Sequence, residues 1–370
     1  LRVAFLSLGP TAKLLRGIPG TRTGGAEHQI IVIGRILRRL GCEVEFLVSD
    51  PDFSEPWRTD DGIYVVPTID FPRGPRFLRA LPPIISLIST LRRSRADVFY
   101  VWGVSRMTGI LGLYCSLARR PYVFALQSNM DADGTYESVV SSVDRILFRR
   151  ALRRATRIVA QTRVQAEILN ERLGLRSTVI PNLCSVRDGA SAGGDREYVT
   201  WVGSFRSVKR PGWFIELAKV HRGHKFVMIG GRNAAEPDVF DEMRKEAEGV
   251  ENLQLVGQVS FEETRWYYRR SLVHVLTSRT EGFPNVILEA LSEGVPVVTT
   301  FDPDGIVARY GLGYACSSFE EVSARVGELL SDEGLRVEMG ERGIEYVREH
   351  HDSEKVAERL MEVLKSAAGV

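Results

Sequence analysis

The stretch Glu281-Gly282-Phe283-Pro284-Asn285-Val286-Ile287-Leu288-Glu289-Ala290 decides how the rest of the chain is read. A strand-like run, Val273-His274-Val275-Leu276, precedes it, and Gly294-Val295-Pro296-Val297-Val298 leads into another strand. The order is strand, acidic Gly-Phe-Pro loop, helix with a second acid, strand. Pro284 suits the first turn of a helix, where its missing N–H would have no intrahelical partner. Free N–H groups around Asn285 and Val286 would then face the loop and favour a phosphate or another anion. Glu289, a turn further in, and Glu281, in the loop, could reach hydroxyl groups beside that anion. Two acids around an anion-binding helix start suit a ligand with both phosphates and sugar hydroxyls. An ordinary αβ unit with two solvated glutamates fits the local pattern equally well.

A chain of 370 residues exceeds what one compact core usually holds, so two domains are expected. The apolar share of 44% and charged share of 26% are those of a globular protein and not of a disordered chain. The net charge of +2 hides an asymmetry. Residues 1–185 carry 26 Lys+Arg against 16 Asp+Glu, a net of +10; residues 186–370 carry 23 against 31, a net of −8. Lys13 is the one lysine of the first half; the other cations there are arginines. A basic half beside an acidic half suggests that one lobe meets an anionic surface or substrate, with solvated helix faces as the plain alternative. Cys42, Cys115, Cys184 and Cys316 are scattered, with no histidine at metal spacing, which fits a reducing compartment and no structural zinc. No signal peptide and no apolar run of spanning length is visible, so a cytoplasmic protein is expected.

Strand and helix signals alternate from the start. Val3 to Leu8, Val44 to Val48, Asp97 to Val101, Tyr122 to Leu126, Arg157 to Ala160 and Thr178 to Ile180 read as strands. Ala26 to Leu40, the segment after Arg106, and Arg163 to Leu173 read as helices between them. The polar stretch 188–196 reads as a linker. The alternation restarts with strands Tyr198 to Val202, Lys225 to Ile229, Leu253 to Val256 and Leu272 to Leu276, separated by helices from Pro211, Val239 and Phe261. Ser353 to Lys365 reads as an amphipathic helix with Val356, Leu360 and Val363-Leu364 on one face. The expected organisation is a first α/β domain over 1–187, a linker over 188–196, a second α/β domain over 197–348 and a tail helix over 349–370. Each domain would be a doubly wound parallel sheet covered by helices.

Ligands of such sheets bind at the carboxyl ends of the strands, so two such domains would face each other across a cleft. Three loops would reach it. Thr23-Gly24-Gly25-Ala26-Glu27 lets backbone approach a phosphate at a helix start. Gly203-Ser204-Phe205-Arg206-Ser207-Val208-Lys209 places two cations where a diphosphate leaving group would develop charge, although taken alone a basic loop capping a strand is the favoured reading. The opening stretch is the third. These three segments, in matching places of two α/β domains, resemble the family 4 glycosyltransferases over nearly the whole chain. Gly41 to Val48, Ile180-Pro181-Asn182, Ile229-Gly230-Gly231 and Gly257 are similar to further segments of the family. Glu281 and Glu289, with seven residues between them, resemble its paired-glutamate signature, the most specific of these matches.

The resemblance implies a GT-B fold, two Rossmann-like domains with the C-terminal helix returning to the first. It implies a retaining, metal-independent hexosyl transfer from a nucleotide-diphosphate sugar, with no cofactor. Lys209 would contact the diphosphate and Glu281 the sugar hydroxyls. Gly282, Phe283, Pro284, Asn285 and Val286 would hold the phosphates, Glu289 the ribose, and Gly203 and Gly257 would lie beside them. Gly24 and Gly25 would line the donor's approach.

Three departures from the family pattern stand out. Ser204 follows the glycine where an arginine is usual, and Arg206 is the candidate replacement. Gln127 stands where a histidine is usual; it can bond a hydroxyl but cannot exchange a proton near neutral pH. Asp131 and Asp133 beyond it could substitute, although a turn role is favoured. Asp302-Pro303-Asp304-Gly305 is expected to be a loop and not a metal site. The segment Phe71 to Ile85, with Arg73, Arg76 and Arg79, followed by Arg92, Arg93 and Arg95, suits an anionic membrane surface, and a partly buried loop and helix equally well. The acceptor expected is a glycan or lipid-linked, cell-envelope molecule, met at the inner face of the cell membrane; nucleic acid is not expected. A nucleotide-sugar epimerase or hydrolase, and a non-catalytic sugar-nucleotide-binding partner, remain open as alternatives.

Overall fold

Short runs of β-branched and aromatic residues, each followed by an amphipathic segment, produce two parallel sheets. A computed structural model of the chain describes residues 1–18, 21, 24–50, 52–68, 81–138 and 140–370. Residues 71–80 of the arginine-bearing segment Phe71 to Ile85, and Thr23 of the glycine loop, lie outside the described residues.

The chain divides into two units. The first comprises Leu1–Leu183 and Ser353–Val370, and the second Cys184–Asp352. In the first, strands β1 (Arg2–Leu8), β2 (Glu43–Ser49), β3 (Trp57–Arg58), β4 (Tyr64–Pro67), β5 (Val98–Trp102), β6 (Tyr122–Ala125), β7 (Arg157–Ala160) and β8 (Thr178–Val179) form one sheet. Their spatial order is β3-β4-β2-β1-β5-β6-β7-β8. Neighbours run parallel except β3 and β4. Such strands are apolar on both faces because both faces are covered. On one face Ile30, Ile33 and Leu37 of the helix Gly25–Arg39 pack with Phe5 and Phe46. On the other, Leu87, Leu111, Phe148 and Leu169 come from the helices Leu81–Arg93, Arg106–Ala118, Ser142–Arg154 and Arg163–Leu173.

The second unit carries β9 (Tyr198–Val202), β10 (Lys225–Ile229), β11 (Leu253–Gly257), β12 (Ser271–Leu276), β13 (Val297–Thr299) and β14 (Gly313–Ala315). All are parallel in the order β11-β10-β9-β12-β13-β14. Trp201, Phe214, Phe226 and Val275 anchor one core, and Ile287, Leu291, Val297 and Leu312 the other. Sequence order reverses on either side of β9, as it does around β1 in the first sheet. The loops after these strands therefore stand at switch points, where doubly wound sheets bind ligands.

Two details differ from the reading of the sequence. The stretch 188–196 is docked on the second unit: Ala192 is buried, and the Arg196 guanidinium donates to the carbonyls of Ser191 (2.7 Å), Glu293 (2.8 Å) and Ser271 (2.9 Å). Gly294, at φ +68°, allows this, because a Cβ there would stand 2.7 Å from the Ala192 Cα. The chain instead leaves the first unit at Leu183, whose N–H and carbonyl are both bonded by the Gln29 amide (3.0 and 2.8 Å). It returns after the helix Glu333–His350, and the helix Ser353–Ala368 buries Val356, Ala357, Leu360 and Leu364 in the first core. Among the described residues no helix is long and apolar enough to cross a membrane.

Candidate active site

The loop after β9 is fastened to the end of β12 by side chains the sequence does not advertise. Trp201, buried in the core, donates its indole N–H to Thr277 Oγ1 (3.1 Å), and that hydroxyl donates to the Lys209 carbonyl (2.6 Å). Arg210 adopts a left-handed conformation at φ 47°, immediately before Pro211. A residue before proline is disfavoured in the right-handed helical region, so the turn is placed where proline already penalises the helix. The Arg210 guanidinium bonds the Thr277 carbonyl (2.7 Å) and Thr300 Oγ1 (2.8 Å), and stacks over Trp213 at 3.9 Å. The Arg279 N–H donates to the Val208 carbonyl (2.9 Å).

This framework brings Lys209 to Glu281. Ammonium and carboxylate form an ion pair, with side chains 18% and 15% exposed, so the contact is only partly screened by water. Arg206 is elsewhere. Its guanidinium pairs with Glu236 (3.3 Å), and the same carboxylate accepts from the Ser207 N–H and hydroxyl (2.8 and 2.6 Å). A turn stabilised in this way aims Lys209 at Glu281 while Arg206 points to the half-exposed rim.

Beyond Glu281 the helix begins later than its proline suggests. It runs Asn285–Ser292, with Pro284 as the N-cap residue and the Pro284 carbonyl accepting from the Ile287 N–H (3.1 Å). Proline lacks a capping side chain, and the positive end of the helix dipole lies at this start. Phe283 packs against His351 at 5.3 Å between ring centres and anchors the loop. Glu289 lies near Tyr268 and Arg265. Burial raises its carboxyl to about 7, against a smaller opposing pull from the Arg265 cation. Arg265 itself bonds Glu293 through Nε (2.8 Å), which leaves Glu289 without a full counter-charge.

The carboxyl ends of β9, β10 and β11 are drawn together by backbone bonds, Gly203 N–H to the Ile229 carbonyl (3.0 Å) and Gly230 N–H to the Gly257 carbonyl (2.8 Å). Gly230, at φ +151°, is required there, because a Cβ would overlap the Gly203 carbonyl oxygen. Gly257, at φ +82°, has open space beside it. In the Asp302-Pro303-Asp304-Gly305 loop the Asp302 carboxylate accepts from the N–H groups of Val307 (2.9 Å) and Ala308 (3.1 Å), capping the short helix Ile306–Tyr310.

The first-unit candidates are placed as follows. Gly24 is the N-cap of the helix Gly25–Arg39, and the Glu27 carboxylate lies over it, occupying the space a Cβ would fill. The helix start expected to meet a phosphate thus faces an acid of its own first turn. Gln127 stands exposed after β6, packed where Gly103, at φ +74°, leaves room. Asp131 is buried in the helix Asn129–Asp133 and accepts from the N–H groups of Gln127 (2.7 Å) and Ser128 (3.2 Å). Burial raises its carboxyl to about 6 despite these bonds. Asp133 accepts from the Thr135 N–H (2.7 Å).

Two matches to known families meet on this frame. Residues 23–186 match the family described as Glycosyltransferase Family 4, and residues 187–346 the one described as Glycosyl transferases group 1. The chain belongs to the family 4, group 1 glycosyltransferases, and its fold is GT-B. An uncharacterized glycosyltransferase of Methanocaldococcus jannaschii is 26% identical over 207 residues, which span 55% of this chain and 57% of the relative's length. Sucrose-phosphate synthase from Thermosynechococcus elongatus shares the fold at a TM-score of 0.77 and 17% identity, over 99% of this chain and 98% of that one. Trehalose 6-phosphate synthase from Burkholderia multivorans follows at 0.76 and 12%, over 100% and 99%. Anabaena HepE, solved with UDP and glucose, gives 0.73 and 15%, over 98% and 99%.

Proposed function

We propose that this protein transfers a hexose from a nucleotide-diphosphate sugar to an acceptor hydroxyl, with retention of configuration and without a metal ion. The observation that carries the reading is the Lys209–Glu281 pair at the carboxyl edge of the second sheet, next in the chain to a helix start whose N-cap residue is proline. Each member of the pair matches a different part of one ligand. The ammonium suits a diphosphate, and the carboxylate, which only accepts, suits sugar hydroxyls. Donor binding then replaces one internal ion pair by two ligand contacts, so neither charge is left bare. The first-turn amides at Asn285 and Val286 take the phosphate oxygens, and Glu289 takes ribose hydroxyls.

In the reaction, the bond from the anomeric carbon to the diphosphate oxygen breaks while the acceptor oxygen bonds that carbon from the same face. The acceptor proton passes to a phosphate oxygen of the departing group. The protein contributes position and stabilisation of the charge developing on the diphosphate, chiefly through Lys209. No protein base is needed in this scheme, which is compatible with Gln127 and with a buried Asp131 already engaged by two amides.

The acceptor proposed is a glycan or lipid-linked molecule at an anionic membrane. The arginine excess of residues 1–185 supports it, as do Leu117 (78% exposed), Ile85 (65%) and Val143 (63%), on three helices that pack on one face of the first sheet. The test of the reaction is incubation with a panel of nucleotide sugars and lipid-linked acceptors, followed by the anomeric configuration of the product. An α-linked product from an α-linked donor supports the proposal. An inverted product, or free epimerised sugar nucleotide, would contradict it.

A further inference from the structure

The amino edge of the first sheet encloses a cavity that glycosyl transfer does not use. Its volume is about 490 Å³, within the range of small-molecule sites. Five arginines reach it from four places: Arg2 at the start of β1, Arg38 at the end of a helix, Arg58 in the β3–β4 hairpin, and Arg93 and Arg95 around the end of the next helix.

The walls are built. Arg120 donates to the carbonyls of Leu91 and Ser94 (both 3.0 Å) and of Ala96, fixing the turn that presents Arg93 and Arg95. Ser94 in turn donates to Glu45 (2.6 Å). Gly62, at φ +83°, has no side chain where the Arg38 guanidinium lies, 3.1 Å from the position of a Cβ.

The charges do not balance. Arg2 pairs with Glu43 (3.3 Å), and Arg58 bonds the Gly62 carbonyl (3.2 Å) and lies over Tyr64. The guanidinium groups of Arg38, Arg93 and Arg95 have no hydrogen-bond or ion-pair partner among the described residues. The remaining carboxylate, Glu45, is engaged by Ser94 and has its protonated form favoured by burial. Arginine at helix carboxyl ends complements the helix dipole, which accounts for Arg38 and Arg93. It does not account for Arg95, nor for the convergence of five guanidinium groups from different elements on one space.

We propose that this cavity binds a small ligand carrying at least two phosphate groups. Planar guanidinium forks grip phosphate oxygens in pairs, and three unpaired forks match a diphosphate better than a single anion. The inference concerns the first unit alone and does not rest on donor binding by Lys209. Inorganic pyrophosphate and a nucleoside diphosphate share this chemistry.

The test is calorimetric titration of pyrophosphate, and separately of several nucleoside diphosphates, into full-length Lys209→Ala protein at moderate salt. Saturable one-site binding is expected, weakened about tenfold or more by Arg38→Ala with Arg95→Ala. Tighter binding of a nucleoside diphosphate that is weakened by the same double variant would assign the ligand to nucleotides; equal binding would assign it to the phosphates alone. Arg95→Gln, on an exposed turn, serves if the double variant loses its cooperative melt. Absence of saturable binding, or binding indifferent to these substitutions, overturns the proposal.

Discussion

Lys209 and Glu281 are each other's counter-ion in the free protein, and this sets what either can do. Removing one leaves a partly buried charge unpaired, which is more damaging than losing a surface pair. Glu289 carries a different tension. Its carboxyl, raised to about 7 by burial, favours the protonated form in the folded state. Its contribution to stability is therefore present below the ordinary glutamate range and lost as pH rises through about 7. Glu289→Gln should flatten that loss: between about pH 5 and pH 8 the wild type should lose on the order of 2 kcal/mol relative to the variant. Denaturant midpoints of the two proteins at both pH values measure this, and parallel pH dependence would refute it. Asp131, raised to about 6, acts with the same sign in both proteins and cancels in the comparison. Glu281 and Lys209 stand out as candidates in the sequence because an acid or base in a loop at a strand end has few structural reasons to be there, and Glu289 because it follows in the helix after that loop. Thr277 and Arg210 are not legible, because their work is to hold the Lys209 backbone, and that depends on a neighbouring strand. The pairing of Arg206 with Glu236, thirty residues away, is hidden from the sequence for the same reason.

At the level of elements, strands buried on both faces announced themselves, and β7, β9 and β10 fall where the apolar runs place them. The hairpin β3–β4 does not, since β3 is two residues, Trp57 and Arg58, defined by pairing with Tyr64 and Val65. The strand β14 opens on Gly313, a poor strand former whose Cβ would overlap the Val297 carbonyl. The helix Phe319–Ser331 carries ordinary signals, Ser318 as N-cap and Val322, Val326 and Leu329 buried, yet the sequence reading stops short of it. The tail helix is legible from its stripe, while its destination in the first unit rests on the family resemblance and not on periodicity. Leu360 is fully buried there, beside Ile33 and Leu37 in the first core. Leu360→Ala should cost about 2–5 kcal/mol. Hydrogen exchange should show the loss in the first sheet, with protection of β9 and β12 retained. Uniform loss across both sheets would contradict an assignment of this helix to the first unit's core.

Across the whole molecule, the division of charge follows the division into units: arginine-rich first, acidic second. Attraction to anionic vesicles over neutral ones by about tenfold, falling with added salt and weakened by Val143→Asp, is expected if the first unit meets a membrane. Equal binding to both kinds of vesicle would count against a membrane-borne acceptor and leave donor chemistry untouched. The fold was legible as a whole because two rounds of β–α alternation permit few topologies. Candidate residues for the donor could be named from the sequence, whereas few could be named for the acceptor, because specificity there depends on surface shape and on loops without a shared signature. The most direct test of the donor assignment is the affinity of the protein for nucleoside diphosphates in wild type, Lys209→Ala and Glu281→Gln forms. Lys209→Ala should weaken the preferred nucleotide by about ten- to a hundredfold. Glu281→Gln should bind the bare nucleotide as well as wild type or better, because Lys209 is freed, while losing the gain that the attached sugar gives. Retention of full nucleotide affinity by Lys209→Ala would contradict the account at its centre.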